Sequence, residues 1–190
     1  MTVVQMFSLH ISIQQAVISG PREYRHRIEH ASVTTDDILA RVAALDIVIA
    51  PHSYTFEKGP MIEAYGEGRW SHMFANASIL EHGISNAANS DFPVSPLNPL
   101  LRIQSLVTRT SRFGKTYGAS QQLSVEQALH AYTMGGAIAT FEEANKGSIT
   151  PDKYADLVIL SQDPRVTPPL ELRNISVVAT YVSGVLRFER

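Results

Sequence analysis

The sequence of 190 residues contains no cysteine. This absence excludes disulfides, thiolate zinc sites, iron–sulfur clusters and cysteine nucleophiles, so any metal ligand must come from histidine, aspartate, glutamate or a modified lysine. Long apolar runs are missing too, since no stretch approaches the roughly 18 uninterrupted apolar residues of a membrane span. The N-terminal residues lack the basic region and the small-residue cleavage site of a secretory signal. These absences predict a cytoplasmic protein with no membrane partner.

Neither sign of charge is in excess, with 16 basic and 18 acidic residues and no run of either. We therefore expect no electrostatic surface for nucleic acids. The apolar fraction of 44% is ordinary for a globular protein, and the length suffices for one sizeable domain with or without a small appendage.

Short apolar runs alternate with amphipathic stretches along the first part of the chain. Strands are predicted at 26–30, 47–50 and 84–88, with helices after Thr35 and across 71–82. This alternation indicates an α/β fold of parallel βα units. Two more helices are predicted near 99–108 and after Ser124.

The chain changes character at Gly147, after which β-compatible runs dominate. Strands are predicted at 157–160 and 177–182, on either side of a proline-rich turn. We therefore divide the chain into residues 1–146 and a β-rich segment, residues 147–190. A segment of that size is below the length at which a domain usually folds unaided.

A histidine and an aspartate end two of the predicted strands. His30 closes the first strand, and the strand at 84–88 leads into Asn89-Ser90-Asp91. Ligands at the C-terminal edge of parallel strands are what a metal-dependent hydrolase at the mouth of an α/β barrel needs. Each residue also has a structural interpretation: His30 as a buried histidine bonded to the backbone, and Asp91 as a turn residue before Pro93.

Five segments occur in a fixed order along the sequence: Arg27-Ile28-Glu29-His30-Ala31, Ser90-Asp91-Phe92-Pro93-Val94, Gly147-Ser148-Ile149, Ala155-Asp156-Leu157-Val158-Ile159-Leu160 and Val178-Ala179-Thr180-Tyr181-Val182-Ser183-Gly184. Together they resemble the amidohydrolase superfamily, in particular the branch of N-substituted formamide deformylases and YtcJ-like hydrolases. The similarity covers about residues 21–188.

The resemblance implies the late strands of a TIM-type (β/α) barrel, with residues 147–190 contributing to a β-sandwich that both chain ends build together. By the same mapping, His30 is a metal ligand after the sixth barrel strand and Asp91 is one after the eighth. The implied cofactor is zinc or another divalent metal. Asp91 is also expected to accept the proton of the attacking water and deliver it to the leaving amine.

The sequence departs from the family pattern in its first half. The amino-terminal sandwich segment, the His-x-His pair and the midway lysine or carboxylate ligand have no counterpart, so we expect the chain to be a C-terminal portion. His10 is the nearest candidate for the fifth-strand ligand, but it lacks the Gly-Asp that follows in the family motif. It also precedes His30 by only 20 residues, which leaves little room for a helix between them.

Two further residues are candidate substrate contacts. His52 follows Pro51 at the end of the strand at 47–50, on the same rim as the expected ligands. Arg69 lies in the loop after that strand. A loop histidine exposed to solvent is the alternative for His52, and packing at a helix start is the alternative for Arg69.

The sequence thus predicts a metal-dependent hydrolase that cleaves a carbon–nitrogen bond in a small amide-like substrate. The alternative is a non-catalytic fragment or subunit that needs another chain, or copies of itself, to complete the barrel. The sequence offers two or three candidate ligands, whereas a catalytic zinc site uses three protein ligands. We therefore expect the chain alone to bind zinc weakly and to hydrolyse amides poorly.

Overall fold

The computed structural model describes residues 25–52 and 54–190, so His10 lies outside the described residues. Its first sheet pairs β1 (Arg27–His30) in parallel with β2 (Val48–Pro51), with His30 opposite Pro51. The strands predicted at 26–30 and 47–50 are confirmed to within one residue.

A third segment runs parallel to β2 without forming a regular strand. Isolated parallel bridges join Ile49 to Asn86 and His52 to Asn89. The amides of Ala87 and Asn89 donate to the carbonyls of Ile49 (2.9 Å) and Pro51 (3.2 Å). The C-terminal ends of three adjacent parallel segments therefore meet at one edge.

Helix α1 (Asp36–Ala44) covers this sheet, as the sequence predicts. Asp36 and Asp37 lie in its first turn, where acidic side chains favour the helix dipole. Its apolar face buries Leu39 and Val42 against a core that also contains Ile49 of β2. Burying each such aliphatic side chain contributes about 1.5–3 kcal/mol, so the sheet depends on this helix for its stability.

The helix predicted across 71–82 is wrong at its start. Helix α2 (Thr55–Glu63) is followed by a 3₁₀ helix (Glu67–His72), and α3 begins only at Asn76 and ends at Glu81. Between them Met73 is extended and bridges Val33, since the amide of Thr34 donates to the His72 carbonyl and the amide of Phe74 to the Ser32 carbonyl. Long-range pairing with residues after β1 thus prevails over local helix propensity.

Helices α4 (Pro99–Thr108) and α5 (Val125–Tyr132) confirm two further predictions, and α6 (Met134–Ala139) follows directly. A capping box joins Ser124 and Gln127 at the start of α5. The apolar faces of α4 and α5 share one core, to which Leu172 and Ile175 of the C-terminal part also belong. One core therefore contains residues from both sides of position 147. The division of the chain into two parts at that position stays a prediction.

The C-terminal sheet is antiparallel, in the order β3 (Leu157–Leu160), β4 (Val177–Val182) and β5 (Val185–Glu189). Asp156 has a structural role here, because its Oδ1 accepts a hydrogen bond of 2.7 Å from the Ser183 amide. Several large apolar side chains of this sheet remain exposed, namely Val158, Ile159, Val182, Val185 and Phe188. Throughout the described ranges, no helix has the length and apolarity needed to span a membrane.

Replacing Gly135 with alanine is expected to destabilise the fold by about 3 kcal/mol, the upper end for overpacking. A Cβ atom on Gly135 would overlap the carbonyl oxygen of Asn86, which belongs to the third parallel segment. Its neighbour Gly136 has no atom near its Cβ position. Gly136→Ala is thus the matched control, and we expect it to be neutral or stabilising by up to about 1 kcal/mol. Urea denaturation of the two variants measures the difference; equal midpoints would contradict this packing.

Candidate metal centre

Three side chains converge at the edge where the parallel segments end. His30 ends β1, His52 follows β2, and Asp91 follows the third segment. One ligand atom from each residue lies within 4.8 Å of the other two. The arrangement follows from the parallel topology, because only parallel strands bring successive C-terminal ends to one edge.

The backbone is strained at two of these three residues. His30 has a φ of +70° and Asp91 a φ of +52°, in the left-handed region that residues other than glycine seldom adopt. Such conformations persist only where the surrounding structure enforces them, and they cluster at functional sites. Here they turn both side chains toward His52.

His52 is the most buried member of the cluster, with 1% of its surface exposed. Its ring meets that of His30 edge to face, with centroids 3.9 Å apart, and its Nε2 lies 3.9 Å from Asp91 Oδ2. Within the described ranges neither ring nitrogen has a hydrogen-bond partner, and the nearby Asn89 amide donates instead to the Ala50 carbonyl (3.3 Å). A buried polar group without a partner is rare in native structures, so this ring is suited to an added ligand.

Burial lowers the pKa of His52, and the neighbouring His30 lowers it further. Asp91 and Asn89 act in the opposite direction but do not outweigh burial. His52 is therefore neutral at pH 7, which is the protonation state that donates a lone pair to a metal ion.

Tyr54 holds the carboxylate of Asp91. Its hydroxyl donates to Asp91 Oδ2, while the Asp91 amide donates to Asn89 Oδ1 at 2.9 Å. The Tyr54 ring lies 4.7 Å from His52 and meets Phe74 edge to face at 5.7 Å, measured between centroids. Burial and the Asp91 carboxylate raise the pKa of Tyr54, so its phenol stays protonated and acts as a donor.

The structure brings together three of the residues singled out in the sequence, His30, His52 and Asp91. It places Arg69 elsewhere: its side chain is exposed on the 3₁₀ helix, and its Nη1 donates to the Tyr65 carbonyl at 3.3 Å. Sequence reasoning missed Tyr54, although its position two residues after His52 on the same loop was a usable signal. The roles of the candidate residues in binding metal or substrate stay predictions.

A pocket of about 300 Å³ opens beside this cluster, and Tyr54 forms part of its wall. Its other walls come from α2 and from residues that follow His30 and Asp91. The candidate centre therefore has an adjoining space in which a small molecule fits.

The fold defined by these segments is that of metal-dependent hydrolases. A solved metal-dependent hydrolase from Pyrococcus horikoshii, itself uncharacterized, matches 85% of this chain with a TM-score of 0.75 and 26% identity. The matched region makes up 33% of that structure.

The chain belongs to the amidohydrolase family, whose sequence profile matches residues 9–188. YtcJ from Bacillus subtilis (strain 168), an amidohydrolase by name, is 32% identical over 176 residues, which are 90% of this chain and 33% of YtcJ. The N-substituted formamide deformylase of Arthrobacter pascens is 30% identical over 167 residues, 86% of this chain and 31% of that enzyme. The branch predicted from the motifs is confirmed, and the chain spans about one third of the length of these relatives.

Proposed function

We propose that this chain carries the late-strand part of the active site of an amidohydrolase, which cleaves a carbon–nitrogen bond in a small amide-like molecule. We further propose that His30, His52 and Asp91 hold a divalent metal ion, with zinc as the leading candidate. The convergence of their ligand atoms within 4.8 Å is the observation that carries the proposal.

The donor set fits zinc. Two imidazoles and one carboxylate are ligands that zinc accepts, and three protein ligands are the number that catalytic zinc sites use. The unpartnered ring nitrogens of His52 support the same assignment. When bound, such an ion polarises the scissile carbonyl and lowers the pKa of water to about 7.

Asp91 is the proposed proton carrier. Its side chain is 30% exposed, so a water molecule and a leaving group can both reach it. In hydrolysis the water oxygen bonds to the carbonyl carbon and the carbon–nitrogen bond breaks. The water proton then passes through the carboxylate to the departing amine. The hydrogen bond from Tyr54 orients the carboxylate for this transfer.

The parallel segments and their helices support the assignment to the late strands of a (β/α) barrel. The exposed apolar side chains of β3–β5 support a further sheet packed on them, as a β-sandwich would provide. The second candidate function, a subunit or fragment completed by another chain or by copies of itself, is favoured by the same exposed side chains. Cytoplasmic location and the lack of a nucleic-acid or membrane partner stay predictions.

Metal binding by the 190-residue chain tests the proposal. Metal-free protein is titrated with zinc against a chromophoric chelator and with cobalt(II) by visible spectroscopy, and amide hydrolysis is assayed on the loaded sample. We expect one metal ion per chain and its loss in His30→Ala and Asp91→Ala. Absence of stoichiometric binding overturns the metal assignment. Binding without any turnover rejects catalysis by this chain alone and favours the subunit that another chain completes.

A further inference from the structure

The lining of the pocket beside the candidate metal centre includes residues that come two or three positions after each of its three proposed ligands. Ser32 and Val33 follow His30, and Val94 follows Asp91. The longest wall is helix α2, which begins just after His52. The pocket and the metal centre thus share the same strand ends, and Tyr54 contacts both.

Lys58 and Met61 of α2 line the pocket, together with Tyr54 directly before the helix and Tyr65 just beyond its end. These four residues follow one another at intervals of three or four. Phe74 contributes an aromatic wall, and its ring meets that of Tyr54 edge to face. The lining is therefore largely apolar. A pocket of about 300 Å³ is at the small end for ligand sites, which suits one ring or a branched alkyl group.

Lys58 is the only charged side chain among the described residues that line this pocket. The acidic neighbours on α2 are engaged elsewhere, since Glu57 pairs with Arg102 and Glu63 pairs with Lys115. No carboxylate among residues 25–52 and 54–190 pairs with Lys58. Lys58 thus brings to the lining of an apolar pocket a positive charge that no described carboxylate pairs, and a carboxylate on the bound molecule would complement it.

We propose, resting on the function proposed above, that the substrate is an amide whose apolar, ring-sized substituent also bears a carboxylate. The substituent occupies the pocket, and the carboxylate binds Lys58. The scissile amide then extends past Tyr54 toward Asp91. Anionic ligands bind best, neutral ones of the same shape bind less well, and cationic ones bind worst.

Fluorine NMR of small ligands measures this preference whether or not the chain turns substrate over. The probes are N-acetyl-4-fluorophenylalanine and its neutral carboxamide, titrated into the 190-residue chain with and without zinc. We expect the acid to bind at least about 10-fold more tightly than the carboxamide at low salt, and the ratio to shrink as salt screens the charge.

Variants of Lys58 separate its charge from its packing. Lys58→Met should bring the two affinities within about 2-fold of each other, because it keeps the stem and removes the charge. Lys58→Arg should retain the preference. Lys146→Met is the matched control, since it removes a lysine that pairs with Glu142 and does not line this pocket. Thermal melts verify that each variant is folded, and Lys58→Glu, expected to favour the carboxamide, replaces any variant that is not.

Equal affinities in the native chain, no detectable binding of either probe at millimolar concentration, or a preference that persists in Lys58→Met would each overturn the inference. The zinc titration on the same samples keeps it distinct from the proposed function. Zinc binding without a Lys58-dependent preference removes the substrate class and leaves the metal centre. A Lys58-dependent preference without zinc binding supports the anionic-ligand pocket and removes the metal centre.

Discussion

Replacing His52 with leucine is expected to lower the affinity of the chain for zinc by at least about 100-fold, above the range for losing an outer-shell partner. The variant removes one of three proposed ligands, and the remaining His30 and Asp91 are too few for a stable site. Leucine is apolar and similar in volume to histidine. Because the buried ring nitrogens have no hydrogen-bond partner among the described residues, the metal-free variant should be at least as stable as the native chain.

The measurement is a zinc competition titration paired with urea denaturation of the metal-free protein. His130→Leu is the matched control, because His130 is exposed on α5, and it should leave zinc affinity unchanged. Tyr54→Phe should lower the affinity by only about 10-fold, as expected for loss of a hydrogen bond to a ligand. If His52 only contacts substrate, as the sequence suggested, His52→Leu will bind zinc normally while His30→Ala will not.

Replacing Arg109 with methionine is expected to destabilise the fold by about 4 kcal/mol. Arg109 is 2% exposed, and its guanidinium donates to three backbone carbonyls: Tyr117 (2.6 Å), Phe74 (2.8 Å) and Met73 (2.9 Å). Hydrogen bonds to charged groups contribute about 1.5–3 kcal/mol each, and methionine leaves these carbonyls without donors. Burial lowers the pKa of Arg109 to about 10, so the group is still charged at neutral pH.

Urea denaturation gives the change in free energy of unfolding. Arg112→Met serves as the control, because Arg112 is exposed with its guanidinium over the Phe113 ring, and it should change stability by less than about 0.5 kcal/mol. Arg109→Lys should recover only part of the loss, since an ammonium lacks the planar fork of donors. A loss under 1 kcal/mol in Arg109→Met would show that water replaces the guanidinium.

The residues of the site that could be predicted from the sequence are those that lie at or near the end of a predicted strand. His30 ends one predicted strand and Asp91 lies three residues after another, so their edge of the sheet followed from local pattern and the family motifs. The role of His52 could not be predicted, because a ligand and a substrate contact differ only in the distances among residues far apart in sequence. Tyr54 was missed for the same reason: its value lies in a hydrogen bond to Asp91, 37 positions away.

The fold shows the same division between local and long-range effects. Helix α4 was predicted within its observed bounds because its proline start and apolar face are local signals. The helix expected from residue 71 failed because residues 72–74, of which Met73 is extended, pair with residues 32–34 and accept hydrogen bonds from Arg109. Neither contact can be read from the pattern of apolar residues around residue 71.

The position of Tyr54 bears on the coupling between the proposed metal centre and the adjoining pocket. Its hydroxyl binds Asp91 of the candidate metal centre, and its ring forms a wall of the pocket. A single side chain therefore contacts both the proposed metal centre and the pocket. Thermodynamic linkage requires reciprocity: by whatever factor bound metal changes the affinity for the pocket ligand, that ligand changes the affinity for metal by the same factor. The change in the proposed metal affinity caused by ligand and the change in ligand affinity caused by metal would then measure the same coupling free energy.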